Sequence, residues 1–456
     1  MLSRGSSPMF FITIAILLIN LNLIGCGSSS NTDQHPSEVL ELSAKFKKTM
    51  ISCPDRIWSD YNWEGLKVVF VYPSLEKSRI WDVSLDRIEM VSTSRLPTPV
   101  ILSLYHFFQW GGKPAMSLNM ELDEPLEGLF LFGVHEFFHN QGQKGWEKKQ
   151  QFRTMSYPYE WEPRLYRRMV FDNLKYYMAF EDPEYLRRAR YWFDKWSEHS
   201  YELMSTTDGY EGTAFYVEVL AQAIAAQGCS TPDDVLKAHV LEKVHTEFGH
   251  PVSGQAFASD KEGYEIGGLA AMILRFQRGN LNEWNLRMAD GDTPLEVLLE
   301  DVIPLEEEAP LPLIELFEET GRRSNEEVGK LVNEEISRLD DVDFVRLVGN
   351  PNFIQSNFSP TLTLRLIDKN MDLFDLGSEL GFLHSQSASD YVFKKDSVIF
   401  GYPVPLCPSG YLVTLVPQDS INLVNGVADV STDSVEGRIE GQIIVDENGF
   451  HYFCVE

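Results

Sequence analysis

Positive charge is scarce in this 456-residue chain: 39 Lys and Arg stand against 68 Asp and Glu, a formal net charge of −29 at neutral pH. No basic stretch compensates, so a surface that tracks a phosphate backbone is excluded and nucleic acid is not an expected partner. Cysteine is sparse as well, at five residues, and no C-x-x-C pair occurs, which argues against a thiolate metal site. Phosphate-loop glycine spacing is missing, and so is a G-x-S-x-G nucleophile elbow. Past residue 26 no apolar run approaches the roughly 20 residues of a membrane-spanning helix. There is no internal repeat, and the one low-complexity tract is a short Gly/Ser segment near residue 30. What remains is globular. A content of 43% hydrophobic and 23% charged residues rules out wholesale disorder, and the length suggests two or three domains.

The first 26 residues have the character of a targeting segment. Arg4 supplies a positive start, and residues 9–21 are apolar apart from Thr13 and Asn20, too short a run for a comfortable span. They lead into Leu23-Ile24-Gly25-Cys26, which resembles the lipobox of bacterial lipoproteins. The resemblance implies a signal peptide over 1–25, cleavage before Cys26 and lipidation of Cys26. Residues 26–37, opening Gly27-Ser28-Ser29-Ser30-Asn31, read as a flexible tether. The expectation is therefore a chain anchored by lipid in the cell envelope, at the outer membrane if the cell has one. An exported compartment permits disulfides, and Cys53, Cys229, Cys407 and Cys454 allow three connectivities. Sequence proximity favours Cys407–Cys454, which leaves Cys53–Cys229.

Beyond the tether, residues 38–50 carry apolar positions at helical spacing (Val39, Leu42, Phe46, Met50). Residues 66–72, 87–91, 100–105 and 115–122 read as strands between Pro- and Gly-bearing turns, the last alternating strictly. A helix is expected over 125–140, and two more between 164 and 204, divided at Glu181-Asp182-Pro183. Further helices are expected over 211–226 and 264–276, and an acidic helical region over about 295–345 broken by Pro304, Pro310 and Pro312. From about residue 350 the texture turns to short alternating runs between Gly, Asn and Pro turns, and Asn448-Gly449 marks a hairpin. The fold class is read as α+β, with a larger domain over 38–345 followed by a small β-rich domain over 346–456.

The residues that carry chemistry begin with Val134-His135-Glu136-Phe137-Phe138-His139, an H-E-x-x-H on an expected helix. His135 and His139 are i and i+4, so both imidazoles leave one helical face toward a single zinc ion, and Glu136 can reach a water on that ion. Such a site needs a third protein ligand and an open position for water. Glu160 and Glu162 lie 21 and 23 residues after His139, and Glu211 lies 72 residues after it. For Glu160 and Glu162 the plainer role is pairing with Arg164, Arg167 or Arg168. Trp110, Trp146 and Trp161 flank the motif and read more simply as core than as a cleft lining.

Together, His135-Glu136-x-x-His139 and Glu211-Gly212-x-Ala214-x-Tyr216 resemble the gluzincin metallopeptidases, whose glutamate ligand opens a helix as E-G-x-A. The match covers roughly residues 65–280. It implies a zincin-like fold in which the small Gly212 and Ala214 let that helix approach the motif helix. It further implies zinc held by His135, His139 and Glu211, Glu136 as general base, and a peptide or protein substrate. Tyr264-Glu265-Ile266-Gly267 is similar to the Tyr-Glu-x-Gly helix start of aminopeptidase-like members, which makes Tyr264 the candidate oxyanion donor, with His250 a weaker one. This sequence departs from the pattern in its long spacing and in Phe215, which stands where an acid is usual. Glu218, two turns after Glu211, is then the candidate to orient a histidine. A non-catalytic surface lipoprotein that keeps the fold for binding is the alternative reading.

Overall fold

The computed structural model describes residues 36–59, 63, 65–122, 124–146, 155–199, 201–246, 261–278, 282–349, 362–375, 382–384, 390–393, 398–408 and 410–455. The targeting segment with Cys26, and His250, lie outside the described residues. Within them the chain is mixed α/β, with two sheets and twelve helices, compatible with an α+β class. No described helix is long and apolar enough to cross a membrane.

Helices α1 (Ser37–Phe46) and α2 (Pro54–Ile57) precede a five-stranded sheet. Its strands are β1 (Lys67–Val71), β2 (Lys77–Asp82), β3 (Arg87–Ser92), β4 (Tyr105–Trp110) and β5 (Lys113–Asn119), in spatial order β3-β2-β1-β5-β4. Only β1 and β5 run parallel; the other neighbours are antiparallel. Alternation along β1 splits its side chains between two layers. Val68 and Phe70 join the helical core, while Val69 and Val71 meet Ile80, Val91 and Val100 on the opposite face. The strand expected over 100–105 is not one. Helix α3 (Thr98–Leu102) occupies its first half, because Pro99 in the first turn presets helical φ and ends the extended run. The strand begins only at Tyr105.

Helix α4 (Leu126–Phe137) follows the sheet and carries the H-E-x-x-H motif. Leu129, Phe130, Val134 and Phe137 bury one of its faces at i, i+1, i+5 and i+8. A helical layer then assembles from α5 (Glu162–Phe180), α6 (Pro183–Ser197), α7 (Tyr201–Gln227), α8 (Asp233–Thr246), α9 (Lys261–Arg278), α10 (Asn282–Ala289) and α11 (Pro294–Leu299). The break at Glu181–Pro183 falls as expected, with Glu181 left-handed and Asp182 capping α6. Helix α7 starts at Tyr201, however, so Glu211 stands well inside a helix and does not open one. Two glycines mark where α7 and α9 touch. A Cβ on Gly212 would sit 2.6 Å from the Gly267 Cα, and one on Gly267 would sit 2.0 Å from the Asp208 carbonyl oxygen. Gly212 thus lets α7 close on α9, and not on the motif helix as the family resemblance implied.

A second, twelve-stranded sheet takes β6 (Met155–Tyr157) from the middle of the chain and the rest from its last third. Helix α12 (Leu311–Leu339) precedes β7 (Phe344–Gly349), β8 (Leu362–Leu366), β9 (Met371–Asp375), β10 (Phe382–His384), β11 (Asp390–Phe393), β12 (Val398–Gly401), β13 (Leu412–Pro417), β14 (Ile421–Val424), β15 (Val427–Ser431), β16 (Val435–Val445) and β17 (His451–Val455). Val328, Val332 and Leu339 of α12 cover one face of this sheet. The Asn-Gly turn joins β16 to β17, with Gly449 at φ +87°. Cys53–Cys229 and Cys407–Cys454 are the disulfides, the pairing that sequence proximity favoured.

The α7–α9 contact predicts opposite outcomes for two glycines. Gly267→Ala is expected to cost about 1–3 kcal/mol through overpacking. At Gly209 an added Cβ meets nothing nearer than 3.6 Å, so Gly209→Ala is expected to hold or raise stability, by up to about 1 kcal/mol of helix propensity. Thermal melts of both variants check this; equal destabilisation would contradict the packing.

Candidate metal centre

The two motif histidines leave α4 near its end, where a π-helical turn over Phe138–Gly142 widens the helix and the Gln143 amide N–H donates to the Phe138 carbonyl. Such wide turns are frequent at functional sites. The His135 and His139 Nε2 atoms stand 3.0 Å apart, and Glu211 Oε2 lies 3.3 Å from the first and 3.1 Å from the second. Three donors bound tetrahedrally to one ion at about 2.0–2.2 Å would be about 3.3–3.6 Å apart, within a few tenths of an ångström of these separations. The triangle therefore has the size of a metal's ligand set, and these three side chains could hold an ion.

Electrostatics favours a positive charge at that point. Burial works against protonation of His135, yet Glu211 and Glu218 outweigh it and push the imidazole up to about 9. Burial likewise opposes ionisation of Glu211, but hydrogen bonds from the two histidines and Tyr264 hold its carboxyl far below the usual carboxylate range. The field that would keep a proton between these groups equally attracts a cation.

Each imidazole is gripped from behind. His139 Nδ1 is 2.6 Å from Gln143 Oε1. The amide orientation of Gln143 is fixed because its Nε2 donates to the Tyr210 carbonyl and, at 2.8 Å, to Thr213 Oγ1. The Thr213 hydroxyl in turn spends its proton on the Gly209 carbonyl, at 2.7 Å. Gln143 can therefore only accept from His139, so Nδ1 carries the hydrogen and Nε2 presents its lone pair to the ligand triangle. His135 Nδ1 faces a carboxylate instead, with Glu218 Oε2 3.4 Å away. Two tyrosine rings lie parallel to the imidazoles: Tyr264 against His135 at 5.4 Å and Tyr210 against His139 at 4.7 Å.

The structure brings together His135, His139 and Glu211, with Tyr264 and Glu218 around them. Glu136, next to His135 on α4, lies beside the Tyr105 hydroxyl; burial first, then the Glu136 and Glu211 carboxylates, raise that phenol well above its ordinary range. Glu160 is drawn elsewhere, 3.6 Å from His199, and Glu162 lies in the first turn of α5. The arginines expected to pair with them bind other acids: Arg164 takes Glu262, Arg167 takes Glu262 and Asp208, and Arg168 takes Asp172. Trp146 packs against Trp58, Phe138 and Tyr210. Sequence reasoning missed Gln143, Tyr210 and Tyr105. The first two had a signal, since Gln143 is i+4 from His139 and Tyr210 adjoins Glu211; Tyr105 had none.

Gln143→Leu removes the acceptor behind His139 and leaves its imidazole free to take the other tautomer. Its affinity for Zn²⁺ is expected to fall about 10–100-fold, read by competition with a chromophoric chelator, while the far-ultraviolet circular dichroism stays unchanged. Undiminished affinity would show that His139 needs no such support.

No protein-family model matches the chain, and neither a curated protein nor a solved structure matches it.

Proposed function

We propose that this protein is a zinc-dependent hydrolase with a zincin-like catalytic fold, a metallopeptidase tethered to a membrane through a lipid on Cys26. The observation that carries the reading is the convergence of two imidazole nitrogens and one carboxylate oxygen within 3.0–3.3 Å, with Glu136 adjoining the first histidine in sequence. The donors suit Zn²⁺, which accepts imidazole and carboxylate tetrahedrally and keeps an open position when the protein supplies three ligands. When bound, the ion would lower the pKa of a water and polarise a carbonyl.

The chain's own residues do the rest. His139 is held as the Nδ1–H tautomer by Gln143, and His135 is backed by Glu218. Glu136 takes the proton of the attacking water and returns it to the leaving amine, the exchange that an amide needs if its nitrogen is to depart neutral. A peptide substrate has a place to lie. Strand β4 pairs only with β5 among the described residues, so its outer edge offers backbone hydrogen bonds to an extended chain. That edge begins at Tyr105, beside Glu136.

Full-length protein purified in detergent is expected to bind one Zn²⁺ per chain, to lose it in His139→Ala and Glu211→Ala, and to keep it in Glu162→Gln. Glu136→Gln is expected to keep the metal and lose about 10²–10⁴-fold in cleavage of a peptide library. Hydrolysis equal to wild type in Glu136→Gln would remove the catalytic reading, and zinc loss in Glu162→Gln with retention in Glu211→Ala would reverse the ligand assignment.

A further inference from the structure

We infer that Tyr105, carried on the edge strand β4, supplies the hydroxyl that receives the oxyanion in this site, and that Tyr264 is a positioning residue for the ligand carboxylate. This rests on the hydrolase reading above. Three phenols surround the ligand triangle, and they differ in what their hydroxyls touch. The Tyr210 hydroxyl donates to the backbone carbonyl of His139 at 3.3 Å, with its ring flat against the imidazole. It belongs to the scaffold of the second histidine. The Tyr264 ring lies parallel to His135, within 8° of its plane, and its hydroxyl hydrogen-bonds Glu211. It holds the carboxylate ligand.

Tyr105 comes from the sheet and lies beside the general base. Register with β5 places it opposite Leu118, and its ring packs edge-on against Phe132 with centroids 5.0 Å apart. Phe132 is one turn before Glu136 on α4, so the two share a helical face. The Tyr105 hydroxyl thereby lies beside the Glu136 carboxylate. Half-buried, it stands at the edge where an extended substrate would lie.

The exchange of partners follows from acceptor strength. At rest the Glu136 carboxylate is the best acceptor in reach of the Tyr105 hydroxyl. As the water oxygen bonds to the substrate carbonyl carbon, its proton passes to Glu136 and the carbonyl π pair moves onto oxygen. Glu136, now a neutral acid, accepts weakly, and the new alkoxide accepts strongly. Tyr105 turns its O–H to the alkoxide without giving up the proton. When the carbon–nitrogen bond breaks, the carbonyl re-forms, Glu136 protonates the amine, and the Tyr105 hydroxyl turns back to Glu136. One amide and one water yield one acid and one amine.

The test compares Tyr105→Phe and Tyr264→Phe in zinc-loaded full-length protein, using a quenched fluorescent peptide chosen from the wild type's own library cleavages. Tyr105→Phe keeps the ring against Phe132. It is expected to lose about 10²–10³-fold in kcat with KM little changed and one Zn²⁺ retained. It is also expected to weaken binding of an N-phosphoryl dipeptide, whose tetrahedral oxygens mimic the alkoxide. Tyr264→Phe is expected to weaken Zn²⁺ binding, so that its turnover rises with added Zn²⁺, which that of Tyr105→Phe does not. Wild-type turnover in Tyr105→Phe overturns the inference, as does the kcat loss falling on Tyr264→Phe at saturating Zn²⁺. A wild type that holds zinc and cleaves nothing sinks the hydrolase reading and this inference together.

Discussion

Arg167 sets the frame on which the ligand triangle depends. Its guanidinium is fully buried, grips Asp208 of α7 with two nitrogens and turns its Nε to Glu262 of α9, 2.5 Å away. Arg164 closes the group from the same helix, 2.6 Å from the other Glu262 oxygen, and the Trp196 ring lies under Arg167 at 4.4 Å. Two cations and two anions balance with no charge left over. Removing one partner from such a group strands a charge in the interior at a cost of about 3–5 kcal/mol, so the three helices hold one relative register. Asp208 is three residues before Glu211, and Glu262 two before Tyr264. The network therefore sets how far along its axis α7 presents the ligand carboxylate, and where α9 starts the tyrosine that bonds to it. The glycines at 212 and 267 act on the same pair of helices from the other direction, permitting the closeness that the charges hold in place.

Charge is distributed unequally around the two histidines. His135 has a carboxylate behind it in Glu218, and His139 a neutral amide in Gln143. A carboxylate raises the basicity of the imidazole it backs, while an amide fixes orientation and tautomer without adding charge. Three carboxylates, those of Glu136, Glu211 and Glu218, already crowd the two histidines. On the proposed reading, a fourth behind His139 would leave a divalent ion two negative charges in excess, and a nucleophile attacking a carbonyl would gain nothing from added negative potential. The amide satisfies the geometric demand alone.

What was legible in the sequence divides by the range over which each interaction acts. His135 and His139 share a face because of helical periodicity, so five residues carried the information. Glu211 was reachable from a second short motif, although helix α7 begins ten residues before it. Glu218 followed from counting turns. The α3 segment misread because Val100-Ile101-Leu102 suits a strand or a helix equally, and the proline in its first turn decides locally. Tyr105 lies thirty residues before the motif on a strand whose place beside α4 follows from the β1–β5 parallel pairing and from β4 folding back on β5. No spacing rule connects it to Glu136. Likewise Gly212 announced a close approach correctly, but only the arrangement of helices decides which neighbour approaches.

Support for the second histidine extends well behind the site. Trp58, buried just after α2, meets Phe138 edge-on at 4.9 Å, Trp146 at 5.9 Å and Trp284 at 5.2 Å. Phe138 opens the π-helical turn that holds His139, and Trp146 reaches Tyr210, whose ring lies on the imidazole. The Cys53–Cys229 disulfide anchors the residue that precedes α2 to the segment after α7. Because the link closes 176 residues, it removes a large share of the unfolded chain's freedom, on the order of 5 kcal/mol in the loop-entropy model. The aromatic wedge behind His139 is thereby tied to the far end of the helix that carries Glu211. One covalent bond thus constrains both sides of the ligand triangle, and a wide turn that is intrinsically weak can hold a histidine in place between them.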